Sequence, residues 1–152
     1  MSYLSELRKI VGHRPLLSAG ATVLVIKDRK VLLNLRSDTG TWGIPGGALE
    51  LGESLYETAH RELKEETGLC SEKMTLLTVL SGKNFYFEYP NGDKLYSVVS
   101  LFLAEGISGE LVMTDGESLE LEYFSVNELP QLESRAKVII EWVIDNKPDL
   151  LR

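Results

Sequence analysis

Between Gly47 and Leu69 the chain reads GALELGESLYETAHRELKEETGL, a glycine loop running into a helix crowded with glutamates. Ser54 and Glu57 form an S-x-x-E capping box and Gly68 supplies a C′ residue, which predicts a helix over 54–67. Glu62, Glu65 and Glu66 fall within one turn, and Glu53 lies just upstream. Like charges at this spacing oppose a helix unless a cation sits between them. At about 100° per residue, Leu55, Tyr56, Ala59 and Leu63 make one apolar stripe that packs on a sheet. The three glutamates flank that stripe, whereas Glu57 and Lys64 face away from it. Glutamates serving only solubility would gather on the far side. Carboxylates beside a core contact suit a hard divalent cation such as Mg²⁺. Arg61, four residues before Glu65 and eight after Glu53, is placed to tether one or both. Upstream, Pro45 restricts the chain while Gly46 and Gly47 let the backbone approach an ion or a phosphate.

The remaining pattern mixes strands and helices without repeats or an evident linker. Residues 2–11 have the spacing of a short amphipathic helix, placed either to pair two chains or to cap the core. Gly20–Ile26 and Lys30–Arg36 read as two strands of a hairpin around the turn Lys27-Asp28-Arg29. Met74–Ser81, Asn84–Tyr89, Lys94–Glu105 and Ser118–Ser125 read as further strands, with Pro90-Asn91-Gly92-Asp93 as a hairpin turn. Leu132–Ile144 returns to helical spacing. Strands and helices do not alternate as a doubly wound sheet requires, so an α+β fold, an α/β/α sandwich with a mixed sheet, is expected.

Composition narrows the function classes. The 152 residues suit one domain covering residues 1–152. A net charge of −7 opposes nonspecific binding to nucleic acid or to an anionic membrane, though not a phosphorylated substrate met by local cations. Cys70 is the only cysteine, so no intrachain disulfide forms and a reducing, cytoplasmic setting is expected, with the thiol read as a packing residue. The N-terminal MSYLSELRKIV is interrupted by charges and does not read as a signal peptide. No segment approaches the roughly 20 apolar residues of a membrane span.

The glutamate segment resembles the signature of the Nudix hydrolases (MutT type), G-x5-E-x7-R-E-U-x-E-E-x-G-U, where U is bulky and apolar. Gly47, Glu53, Arg61, Glu62, Leu63, Glu65, Glu66, Gly68 and Leu69 fill every defined position. The flanks are similar to the family as well, through Trp42–Gly47 as W-x-x-P-G-G and Glu120–Leu129 as E-x-x-x-F-x-x-x-E-L. The resemblance implies Mg²⁺-dependent hydrolysis, with Mn²⁺ able to substitute, of the pyrophosphate bond in a nucleoside diphosphate linked to another moiety. It implies Glu62, Glu65 and Glu66 as metal ligands with the Gly46 carbonyl as a further one, and Glu53 with Arg61 as an orienting pair. By the same resemblance the general base is expected to be Glu62 or Glu65, with Asp115, Glu117 and Glu120 as downstream candidates and Glu117 or Glu120 as assistants. Substrate contacts are expected from Arg36, Trp42 and Tyr86. Nucleoside triphosphates, nucleotide sugars such as ADP-ribose and dinucleoside polyphosphates all remain open as substrates. Many relatives pair, so a homodimer through the 2–11 helix is one open arrangement and a monomer capped by that helix is the other. A non-catalytic nucleotide-binding sensor of the same fold is the alternative, and the complete signature weighs against it.

Overall fold

The structure, a computed structural model, describes residues 2–113 and 116–152. One sheet comprises β1 (Leu16–Leu24), β5 (Gly46–Ala48), β6 (Cys70–Leu80), β7 (Tyr86–Glu88) and β8 (Lys94–Ser108). Its order is β5-β1-β8-β6, with β7 alongside the start of β8. β1 and β8 run parallel over nine residue pairs, and β5, β6 and β7 join antiparallel. A second sheet holds β2 (Ile26–Lys27), β3 (Lys30–Arg36), β4 (Trp42–Gly43) and β9 (Ser118–Phe124), centred on β3. Among the described residues three α-helices accompany the sheets: α1 (Tyr3–Val11), α2 (Leu55–Thr67) and α3 (Ser134–Asn146).

Alternation along the strands sends side chains to two separate cores. On one face Ala21, Val23 and Phe102 meet Ala59 and Leu63 of α2. On the other, Leu24, Leu33 and Leu101 meet Ile139, Ile140 and Val143 of α3. The result is the α/β/α sandwich with a mixed sheet that the pattern predicts. The capping box of α2 is formed in both directions between Ser54 and Glu57, and Gly68 ends the helix in the left-handed region at φ 78°. Among the described residues no helix is long and apolar enough to cross a membrane.

Several local expectations are corrected. Gly20–Leu24 does not form a hairpin with β3, because β5 and β8 occupy both edges of β1. The chain changes sheets at Val25, and only the short β2 pairs back onto β3. Asn84 and Phe85 lie in a 3₁₀ turn, where tertiary packing buries Phe85 and overrides its strand propensity. Tyr56, placed on the apolar stripe by its angle, is half exposed and sets its ring edge-on against Phe102. Cys70 is an exposed thiol at the start of β6, not a packing residue. The α1 helix buries no residue in either core. It spans instead from Glu50, whose carboxylate accepts the Tyr3 amide, to the carbonyl of Lys94, held by Arg8.

The β2–β3 turn puts Asp28 and Arg29 at φ 51° and 62°, the two positive angles of a turn that matches strand twist. A side chain in that region costs roughly 1–2 kcal/mol, which glycine avoids. Arg29→Gly is therefore expected to stabilise the fold by about 1 kcal/mol, read as a higher urea midpoint at unchanged slope.

Candidate active site

Helix α2 sits over β1 and β5 with Ala59 and Leu63 fully buried, and that packing fixes where its glutamates point. Glu66 is 8% exposed, and its Oε2 accepts the Gly46 N–H at 2.8 Å. Glu62 lies directly against Gly47, where a Cβ would overlap its carboxylate. Glycine is required there by close approach and not by a special backbone angle. Arg61 gathers the rest. Its Nε and Nη2 hold Glu53 at 2.6 and 3.0 Å, and its Nη1 reaches Glu62 at 2.8 Å and Glu65 at 3.2 Å. A further Nη2 bond to the Ala48 carbonyl anchors the guanidinium to β5. Both Arg61–carboxylate contacts anticipated from spacing are thus present, together with a third to Glu62.

The electrostatics separate two half-buried acids, Glu53 and Glu62. Arg61, through hydrogen bonds, holds the Glu53 carboxyl down to about 2. Burial pushes the Glu62 carboxyl up to about 7, with Glu65 and Glu117 adding repulsion and Arg61 opposing both. One guanidinium therefore does not neutralise the cluster. Among the described residues no three acidic, histidine or cysteine side chains converge as a finished cage, since Glu62 turns to Arg61 and Glu66 to Gly46. The donor chemistry nevertheless fits a hard divalent cation: oxygen donors, more acid than local base, and a glycine cradle that brings Glu62 against the backbone.

The downstream candidates separate by position. Glu117 precedes β9 and lies close enough to raise Glu62 by its charge. Glu120 pairs with Leu35 on β9, on the strand face opposite Leu121, which packs toward the α2 core. It is exposed there and is not brought to the glutamate helix. Asp115 lies outside the described residues. Trp42, partly buried, packs its ring edge-on to Phe124 against the α3-side core, and its backbone braces the approach to α3 through Gln131 and Glu133. Tyr86 stacks on Tyr96, whereas the next residue, Phe87, faces Arg36 and Arg135. Tyr86 is therefore on the sheet face away from those arginines. Of the three expected substrate contacts, Arg36 lines a recess on the α3 side of β5. Glu133 and Arg135 line it too and escape a sequence reading. The available signal was a Glu-Ser-Arg triplet at the start of the amphipathic helix.

Residues 15–143 match the family model described as NUDIX domain. The chain is 37% identical over 122 residues to an ADP-ribose pyrophosphatase of Methanocaldococcus jannaschii, covering 78% of this chain and 68% of that protein. It is 34% identical over 89 residues to the putative mutator protein MutT4 of Mycobacterium tuberculosis, covering 59% of this chain and only 34% of that longer relative. Its fold superposes on the crystal structure of a MutT NUDIX hydrolase from Burkholderia pseudomallei with a TM-score of 0.71 at 28% identity, covering 84% of this chain and 98% of the other.

Two predictions arise from this geometry. Gly47→Ala displaces the flexible end of Glu62 and leaves the backbone in place, so the fold survives. Mn²⁺ affinity, measured by electron paramagnetic resonance, is expected to fall about 10- to 100-fold with little change in melting temperature. The second concerns pH in the absence of metal. Glu62 binds its proton more tightly folded than unfolded, so stability falls as pH rises from 4.5 to about 7. Glu53 has the opposite sign, and its contribution is lost as pH falls from 4.5 toward 2. Denaturation in EDTA across pH 5–8 should therefore show a decline that Glu62→Gln removes.

Proposed function

The chain belongs to the NUDIX family of hydrolases, and from that premise we infer that it cleaves the pyrophosphate bond of a nucleoside diphosphate linked to another moiety. Mg²⁺ is the cofactor in this reading and Mn²⁺ its substitute. The observation that carries it is the Arg61 fork, which gathers Glu53, Glu62 and Glu65 on the side of α2 facing the Gly46–Ala48 strand.

Glu62, Glu65 and Glu66, with the Gly46 carbonyl, are the groups that would hold the cation. When bound, divalent cations neutralise phosphate oxygens and acidify a water. The protein's own groups do the rest. Arg61 keeps the carboxylates at fixed spacing, and Glu53, ionised well below neutral pH, keeps Arg61 in place. Gly47 lets Glu62 lie against β5 without a side chain between them. Water attacks phosphorus, the bridging P–O bond breaks toward the leaving phosphate, and Glu62 or Glu65 takes the proton. Glu117 assists by sharpening the negative field at Glu62. Glu120 has no part, because its face of β9 is turned from α2.

The test is a hydrolysis panel of nucleoside triphosphates, ADP-ribose, nucleotide sugars and dinucleoside polyphosphates with Mg²⁺ or Mn²⁺. At least one substrate should be cut, and Glu65→Gln should lower kcat about 100-fold or more without unfolding the protein. Full activity in that variant would sink the metal assignment. A folded wild-type chain that binds nucleotides and hydrolyses none would leave the sensor reading in its place.

A further inference from the structure

Parallel strands occur almost only with both faces covered, because their side chains are apolar on each. β1 and β8 pair in parallel from Leu16–Leu95 to Leu24–Leu103, and α3 with the recess beside it lies along one face. On the other face α2 covers only the half that carries Ala21, Val23 and Phe102. Register places Leu17 of β1, Tyr96 and Val98 of β8, and Leu76 and Val79 of β6 on that same face. All five are open to solvent, Leu17 at 80% and Val79 at 53% exposure. Tyr56, in the first turn of α2, extends the patch by laying its half-exposed ring against Phe102, the register partner of Leu76.

Size and charge decide what covers it. The six side chains leave on the order of 500 Å² accessible, as much as the largest patch on an ordinary monomer. That is most of the roughly 800 Å² that each partner brings to a standard interface. On the strands of this uncovered half the charged side chains are Lys94 and Glu88, a register pair 4.0 Å apart whose charges cancel. A strongly charged partner finds nothing there to recognise. Two copies of this chain, each at −7, repel one another, and a neutral apolar face is where they meet with least repulsion. Sheet faces also pack well on sheet faces, so a second copy offers a surface of matching shape and polarity.

We propose that this half-face seats a second copy of the chain, sheet against sheet, in an isologous dimer about a two-fold axis. The axis sets each Lys94 against the other copy's Glu88 at the rim, while the apolar side chains fill the centre. Pairing leaves the candidate site open. Tyr56 and the glutamates lie on opposite flanks of α2, with the buried Ala59 and Leu63 between them. Helix α1 is not the pairing element, because its two ends are tied to its own chain at Glu50 and at the Lys94 carbonyl.

The experiment is sedimentation velocity on the full chain over a dilution series, and none of its readouts depends on hydrolysis. At about 100 µM the mass should be that of two chains. Leu17→Lys should raise the dissociation constant at least about 100-fold, because an isologous interface carries the change twice. Leu17 makes little contact within its own chain, so the melting temperature of the dilute variant should match that of the dilute wild type. Ile10→Lys, on the exposed face of α1, should leave the two-chain mass unchanged. On the wild-type chain, dilution should shift the amide resonances of Val79, Tyr96 and Val98 and leave those of Ser5–Ile10 in place, which keeps the test valid if a variant does not fold. A single-chain mass at the highest concentration, a dimer untouched by Leu17→Lys, or one broken by Ile10→Lys would each overturn the assignment. The last of these would give the pairing to α1 instead.

Discussion

The Arg61 guanidinium is the contact on which the site depends. A planar fork of five donors can satisfy several oxygens at once without changing its own charge. Here it spans Glu53, Glu62, Glu65 and the Ala48 carbonyl. Three carboxylates drawn to one cation would otherwise repel one another off the helix. Lysine could supply the charge but not the geometry, because its ammonium cannot present parallel donors to separate acids. The fork also links α2 to β5, so the acids are referenced to the sheet and not merely to their own helix.

Burial then divides labour among similar side chains. Glu53 and Glu62 both touch Arg61, yet one is held far below the ordinary carboxylate range and the other well above it. The difference is solvent and neighbours. Glu53 gains hydrogen bonds from Arg61, the Glu50 amide and Thr58, whereas Glu62 is desolvated between α2 and Gly47 and faces other acids. A helix that contributed only stability would not retain such an acid beside its core contact. That raised acid supports the proposed assignment of the chemistry to this side of α2.

The same strand serves two spaces. β5 is three residues of glycine and alanine at the edge of a sheet, with carboxylates on one side and a small recess on the other. The loop before α3 completes the recess, and its position is set by backbone bonds to Trp42 in the other sheet.

By itself, the sequence determined whatever depends on neighbours along the chain. Period-3.6 spacing and the Ser54–Glu57 box gave α2 to within a residue of its ends. The offsets of Arg61 from Glu53 and Glu65 gave two of its ion pairs, and the Asn91-Gly92 turn gave the β7–β8 hairpin. These signals are local because helix and turn geometry is local. Tertiary structure alone decided the long-range pairings, because β1 is joined to β8 across some 80 residues and a strand's pattern does not name its partner. The same limit hid the contact of Gly47 with Glu62, the turning of Glu120 and Tyr86 away from the positions expected of them, and the Glu133 recess. Each depends on which face of a strand meets which helix, and only packing the whole chain fixes that.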